Sequence, residues 1–216
     1  MKSFTSYYLG YIVPASTLLP IVAGLMYYKR INKPLHTLLI YLIIAFIINV
    51  IGSVMAGNHI NNLPLLHFYT IFELLAVMFY YKHAFGHGKI TSWIYAAMIA
   101  FPLLCVLNFT FLQSLHEFNT YTRPLGALII ILFSGLYLAV QPNLSNQQLV
   151  TRSGRMVAGG FLIYFCSSLF QFIFSNVVSH IATRTIKDVI WNLHATFVLV
   201  MYLFFFAAIL NERNKR

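Results

Sequence analysis

Seven apolar stretches of about 20 residues, at 7–28, 37–57, 64–81, 90–112, 122–140, 157–179 and 188–210, take up most of the chain. At a helical rise of about 1.5 Å per residue, each is long enough to cross the roughly 30 Å hydrocarbon core of a bilayer. The connections between them are short, so no separate soluble domain fits. The pattern predicts an all-α fold: one polytopic membrane bundle of seven transmembrane helices, forming a single domain over residues 1–216. Composition agrees, since 60% of residues are hydrophobic and 8% charged, against about 45–50% and about 25% in soluble domains.

The first stretch ends in "YYKR" and exceeds the length of a signal-peptide core, with no small-residue cleavage site after it, so it is expected to remain as a helix. Cys105 and Cys166 both fall within apolar stretches, which does not suggest a disulfide framework. Pro34 and Pro64 suit the first turns of the second and third helices. Ser145 with Gln148, and Thr185 with Asp188, have the spacing of capping boxes for the sixth and seventh. "LMYYKR" and "MFYYKH" close the first and third helices with aromatic residues and cations, the usual furniture of a membrane interface.

Basic residues set the expected orientation, because Lys and Arg are retained on the cytoplasmic side. Lys29, Arg30, Lys33, Lys82, Lys89, Arg152, Arg155, Arg213, Lys215 and Arg216 fall on one side, and Lys2, Arg123, Arg184 and Lys187 on the other. This places the N-terminus outside and the C-terminus in the cytoplasm. The net charge of +10 then reads as topology and as affinity for anionic headgroups of the lipid bilayer. With no basic domain to carry it, nucleic-acid binding is not expected.

A 3+1+3 repeat of the kind found in seven-helix sugar transporters does not emerge, because Pro14 and Pro20 have a counterpart only at Pro124. Two helices carry stripes of small or weakly polar residues that suit close packing. These are Ala45, Asn49, Gly52, Ser53 and Ala56 on the second, with Asn49 as interhelical glue, and Arg123, Gly126, Ala127, Ile130 and Ser134 on the fifth.

Only four residues are acidic. Glu117, Asp188 and Glu212 sit beside expected helix ends, but Glu73 interrupts the apolar run "HFYTIFELLAVMFYY" near the bilayer midplane. A carboxyl there costs about 2.5–3.5 kcal/mol on insertion scales, so it should face the interior and have a partner. Helical spacing brings Tyr69 and Thr70 to its face. An isolated carboxyl would stay neutral unless Arg123 or a protonated His194 came close. It could serve packing or function.

The sixth helix has a second polar line: Tyr164, Ser168, Gln171, Ser175 and Ser179 recur every three or four residues. Packing and a water-accessible cavity both fit it. Trp191, Asn192 and His194 begin the seventh helix, and His67 stands at similar depth on the third. Polarity therefore gathers in the outer half, with the cytoplasmic half almost wholly apolar.

Several chemistries find no support. His67 lies about 120° from Glu73 around its helix, and no HxxxH or HExxH pair occurs, so no metal site is assigned. Retinal would need a lysine in the middle of the seventh helix, and a voltage sensor an arginine ladder. No cofactor is expected.

The stretch from Asn61 through "HFYTIFE" resembles uncharacterised seven-helix proteins of bacterial membranes, over the whole chain at the level of topology. The resemblance implies the bacterial cytoplasmic membrane and brings no activity, cofactor or catalytic residue with it.

The expectation is a receptor- or sensor-like protein that binds a small or lipid-derived ligand in an outward-facing polar cavity lined by the third, fifth, sixth and seventh helices. Its ligand-binding residues would be Glu73, Tyr69, His67, Arg123, Gln171, Ser175, Asn192 and His194. A cytoplasmic protein partner would carry the signal onward. The alternatives are a lipid-modifying enzyme using Glu73 and His194, with catalytic residues otherwise unassigned, and a small transporter.

Overall fold

The computed structural model describes residues 7–86, 88–140 and 150–213. Seven helices in it are long and apolar enough to cross a membrane: α1 (Tyr8–Met26), α2 (Lys33–Gly57), α3 (Leu63–Phe85), α4 (Lys89–Leu112), α5 (Thr122–Ala139), α6 (Arg152–Ile181) and α7 (Arg184–Arg213). The described residues contain helices and connecting turns and no strand.

Local chemistry explains where the helices begin. Asn32 accepts a hydrogen bond from the Leu35 N–H at 3.2 Å, and Pro34 occupies the first turn of α2. Pro64 does the same for α3. Such residues meet or remove the N–H groups that a helix start leaves without intrahelical partners. Asn119 caps α5, its side-chain oxygen accepting from the N–H groups of Thr122 and Arg123 at 3.0 and 3.1 Å. Gly86, at φ 68°, follows α3 in a backbone conformation that glycine adopts without steric cost.

Two starts differ from expectation. Thr151 caps α6, its hydroxyl accepting from Gly154 N–H at 2.9 Å, so this helix begins at Arg152 and not at 157. The Ser145–Gln148 pair lies outside the described residues, as do Lys2, Lys215 and Arg216. Thr185 does not cap α7. That helix starts at Arg184, with the Thr183 hydroxyl 3.5 Å from the Ile186 N–H, because the chain turns one helical step earlier than the apolar pattern does.

α1 is irregular for a stated reason. Pro14 and Pro20 have no N–H to give, so the normal bonds to the carbonyls four residues earlier cannot form. The first turn widens into a π-helical segment, Tyr8–Ile12, with the Val13 N–H bonded to the Tyr8 carbonyl. A break follows at Thr17, whose N–H reaches back only to Pro14 at 3.2 Å. α4 also ends in a π turn, Asn108–Leu112.

The helices run alternately up and down. Arg213 at the end of α7 reaches Tyr27 just past α1 at 2.8 Å, and Thr37 near the start of α2 meets His83 near the end of α3 at 2.9 Å. The ends of α1, α3, α5 and α7 therefore share one end of the bundle, the basic end, with Lys29, Arg30, Lys82 and Lys89. α6 and α7 form the broadest contact, and α5 packs beside α6. α3 touches α2, α4 and α5, while α1 closes the ring between α2 and α7.

Tight packing of α6 on α7 depends on Gly160. A Cβ there would lie 3.4 Å from the Met201 carbonyl oxygen and 3.0 Å from the Phe204 Cβ. Small residues give lipid-embedded helices such close approach. The stripe on α5 behaves likewise, with Gly126, Ala127, Ile130 and Ser134 all buried. On α2 the stripe divides: Ala45 and Gly52 are buried, but Asn49, Ser53 and Ala56 are exposed. Asn49 is not interhelical glue, since its side chain hydrogen-bonds to no other described residue; Asn62 instead joins α2 to the start of α3 by donating to the Gly52 carbonyl at 3.1 Å.

Nor is the basic half of the interior almost wholly apolar. Tyr81 and Ser134 hydrogen-bond at 2.7 Å between α3 and α5. Ser153 donates to Glu212 at 2.7 Å and accepts from Asn211 at 2.9 Å, binding α6 to α7. These bonds were hidden in sequence because their partners lie 53 to 59 positions apart.

Candidate functional site

Glu73 sits midway along α3 and is 4% exposed. One carboxylate oxygen lies 3.0 Å from Arg123 Nη1 of α5. The other accepts hydrogen bonds from Tyr69 at 3.0 Å and Tyr41 at 3.2 Å. Tyr69 stands one turn before Glu73 on the same face, the spacing that brings helix neighbours together. Tyr41 comes from α2 and completes the site across the bundle.

Arg123 occupies the first turn of α5, held there by the Asn119 cap. Besides Glu73 it approaches the Thr70 hydroxyl at 3.4 Å and the Tyr164 hydroxyl at 3.5 Å. Its guanidinium carbon is 4.6 Å from the centre of the Phe172 ring, within cation–π range. The neutral-acid alternative for Glu73 depended on Arg123 staying away. The guanidinium is in contact, so the condition for that alternative is not met, and the cost of burying the pair is offset by five close polar or aromatic neighbours.

The pair forms one wall of a cavity of about 320 Å³. α6 supplies Tyr164, Gln171, Phe172 and Ser175, and α7 supplies Trp191, His194, Val198, Met201 and Tyr202. α2 contributes Tyr41 and Asn49, so the cavity touches five helices where four were expected. Tyr164, Gln171 and Ser175 of the polar line on α6 face it, and Gln171 Oε1 is buried without a hydrogen-bond partner among the described residues. His194 is oriented by a 2.8 Å hydrogen bond between its Nδ1 and the Ser168 hydroxyl. Ser168 itself is 1% exposed and is not part of the cavity wall.

The segment between α4 and α5 lies across the end of the cavity away from the basic end, bringing Glu117, Phe118 and Asn119 to its lining. It is pinned in several places. Asn176 of α6 clasps Phe118, accepting from its N–H at 3.0 Å and donating to its carbonyl at 3.2 Å. Gln113 donates to the Phe118 carbonyl at 2.9 Å and the Thr120 hydroxyl at 2.8 Å. The Phe118 ring rests 6.0 Å from Trp191.

Of the eight residues expected to bind ligand, Glu73, Tyr69, Arg123, Gln171, Ser175 and His194 line this cavity. His67 and Asn192 do not. His67 is 1% exposed and uses Nε2 to hold the Glu117 carbonyl at 3.0 Å, so it braces the covering segment. The Asn192 carbonyl accepts from Thr196 at 2.8 Å within α7. Tyr41 and Tyr202 were missed; a tyrosine in the middle of an apolar helix, needing a partner for its hydroxyl, is the signal that could have found them.

Among the described residues, no three His, Cys, Asp or Glu side chains gather closely enough to hold a metal ion. The chain matches no family profile, no curated protein and no solved structure.

Proposed function

We propose that the protein is a multi-pass membrane receptor or sensor that binds a small or lipid-derived ligand in the Glu73–Arg123 cavity. Basic loops held in the cytoplasm put the cavity end outside, in a cell membrane, with the bacterial cytoplasmic membrane as the expected setting. A ligand seated between α3, α6 and α7 acts on the helices that run to the basic end, where a cytoplasmic partner would take up the shift.

The carrying observation is that both charges are already engaged by the protein while the cavity keeps an unpartnered acceptor in Gln171. A general base needs a lone pair free to take a proton from substrate. Glu73 instead accepts from Arg123, Tyr41 and Tyr69, and the His194 nitrogen nearest a hydroxyl serves to fix the ring against α6. This favours recognition over the lipid-modifying enzyme.

The test is mass spectrometry of protein purified from its native membrane in mild detergent, comparing the wild type with Gln171→Leu and Arg123→Ala. The wild type should carry one bound small molecule that both variants lose. Time-dependent conversion of that molecule by the wild type, stopped by Glu73→Gln, would overturn the receptor reading in favour of catalysis.

A further inference from the structure

Beside the cavity, on the outer surface of the bundle, a groove of about 510 Å³ runs between α1 and α2. Its walls are apolar for most of their length, with Tyr11 and Pro14 on α1 and Phe46, Val50 and Val54 on α2. The groove exists because α1 is bent. Beyond the Thr17 break, Leu18–Met26 packs on both α2 and α7, whereas the earlier part of α1, Tyr8–Ser16, leans chiefly on α7. From Phe46 to Val54 the groove spans about 12 Å of helix.

Asn49 lines both the groove and the cavity. It is exposed on a membrane-spanning helix, and its side chain bonds to no other described residue. An amide facing hydrocarbon without a partner is costly. Something polar belongs beside it, at the junction of a polar chamber and an apolar channel.

We propose that the cavity and the groove together hold one single-chain amphiphile, with an uncharged hydroxyl-bearing head in the cavity, an ester or amide linkage at Asn49, and an apolar tail along the α1–α2 groove. The proposal rests on the receptor reading and specifies its ligand. An uncharged head follows from the charges present. Arg123 is neutralised by Glu73, and the remaining charge on the lining, Glu117, is negative and belongs to the segment that covers the cavity, which disfavours an anion. Gln171 Oε1 calls for a donor, which a hydroxyl supplies. Access from the side also suits the fold, because Asn176, Gln113 and His67 hold the segment 113–121 across the cavity's end.

The experiment measures binding to the full-length protein in detergent by thermal shift and by displacement of a fluorescent monoacylglycerol. The probes are 1-oleoylglycerol, oleate and glycerol. 1-Oleoylglycerol should bind, with oleate and glycerol at least tenfold weaker. Asn49→Leu and Gln171→Leu should each weaken it by about tenfold, the effect of one hydrogen bond. Asn49→Trp, which fills the junction, should weaken it further; if that variant fails to fold, Asn49→Leu decides the point.

Equal binding of oleate would overturn the uncharged head. Binding lost in Gln171→Leu but unchanged in both Asn49 variants would overturn the lateral tail while leaving the cavity as a ligand site. If no probe binds, and nothing copurifies that Arg123→Ala releases, the receptor reading falls together with this one.

Discussion

Glu73 is tolerated in the middle of an apolar helix because every strong demand it makes is met within 3.2 Å, by Arg123, Tyr69 and Tyr41. Removing one member of a buried pair leaves the other charge uncompensated, at a cost of about 3–5 kcal/mol. Glu73→Leu and Arg123→Leu should therefore each lower thermal stability in detergent sharply. The double variant should recover most of the loss, since replacing both charges with packed apolar groups is often neutral. Equal and additive losses in the cycle would show that the two side chains do not support each other. Tyr41→Phe tests the contribution that sequence did not reveal, and should cost about 1.5–3 kcal/mol, as for a hydrogen bond to a charged group. Glu73 was legible because a lone carboxylate in an apolar run is conspicuous, and Tyr69 because helical spacing fixes its place. Tyr41 was not, since its contact depends on how α2 rotates against α3, which a local pattern does not encode. For Asn49 the same ignorance worked the other way. Its face of α2 looked like a packing seam, but the bend in α1 withdraws the partner that would have covered it.

At the scale of the element, α6 carries the clearest periodic signal. Gln171, Phe172 and Ser175 line the cavity, while Phe170, Ile173 and Phe174 are exposed on the outer surface of the bundle. In a chain whose Cys105 and Cys166 are replaced by Ala, single cysteines at 171 and 175 should react with a membrane-impermeant thiol reagent, and those at 170, 173 and 174 should not. Uniform protection would make the polar line a packing device. A cysteine at 168 should also stay protected, because Ser168 is spent on His194 behind the wall. The start of this helix illustrates the limit of reading by hydropathy. Residues 152–156 include Arg152, Ser153 and Arg155, so an apolar criterion passes over them, yet the Thr151 cap lets the helix begin there. Thr151→Ala should cost about 1 kcal/mol in the same unfolding measurement. Pro14 and Pro20 account for the irregularity of α1, but the direction in which the helix leans is a property of its contacts with α7.

For the whole molecule, seven helices long and apolar enough to cross a membrane were legible because bilayer thickness imposes a length that few other structures share, while the way they surround a cavity was not, being set by side chains from five helices and one covering segment. Orientation is the remaining property on which the functional proposal depends. The basic end gathers Lys29, Arg30, Lys33, Lys82, Lys89, Arg152, Arg155 and Arg213, and the cavity lies towards the other, beneath the segment between α4 and α5. If charge governs insertion, a reporter fused after Lys89 or at the C-terminus should read cytoplasmic, and a tag at the N-terminus should be accessible from outside intact cells. Moving the charge should matter in a graded way: replacing Lys29, Arg30 and Lys33 by Gln while adding lysines between Asn58 and Asn62 should produce a mixed population, because the first hairpin then carries no bias towards its native side. An inverted wild type, with the C-terminal reporter outside, would turn the cavity towards the cytoplasm. Glu73, Arg123 and Gln171 would still form a binding site, but one sampling the cell's own solutes and inner-leaflet lipids, and the basic loops would face away from any cytoplasmic partner.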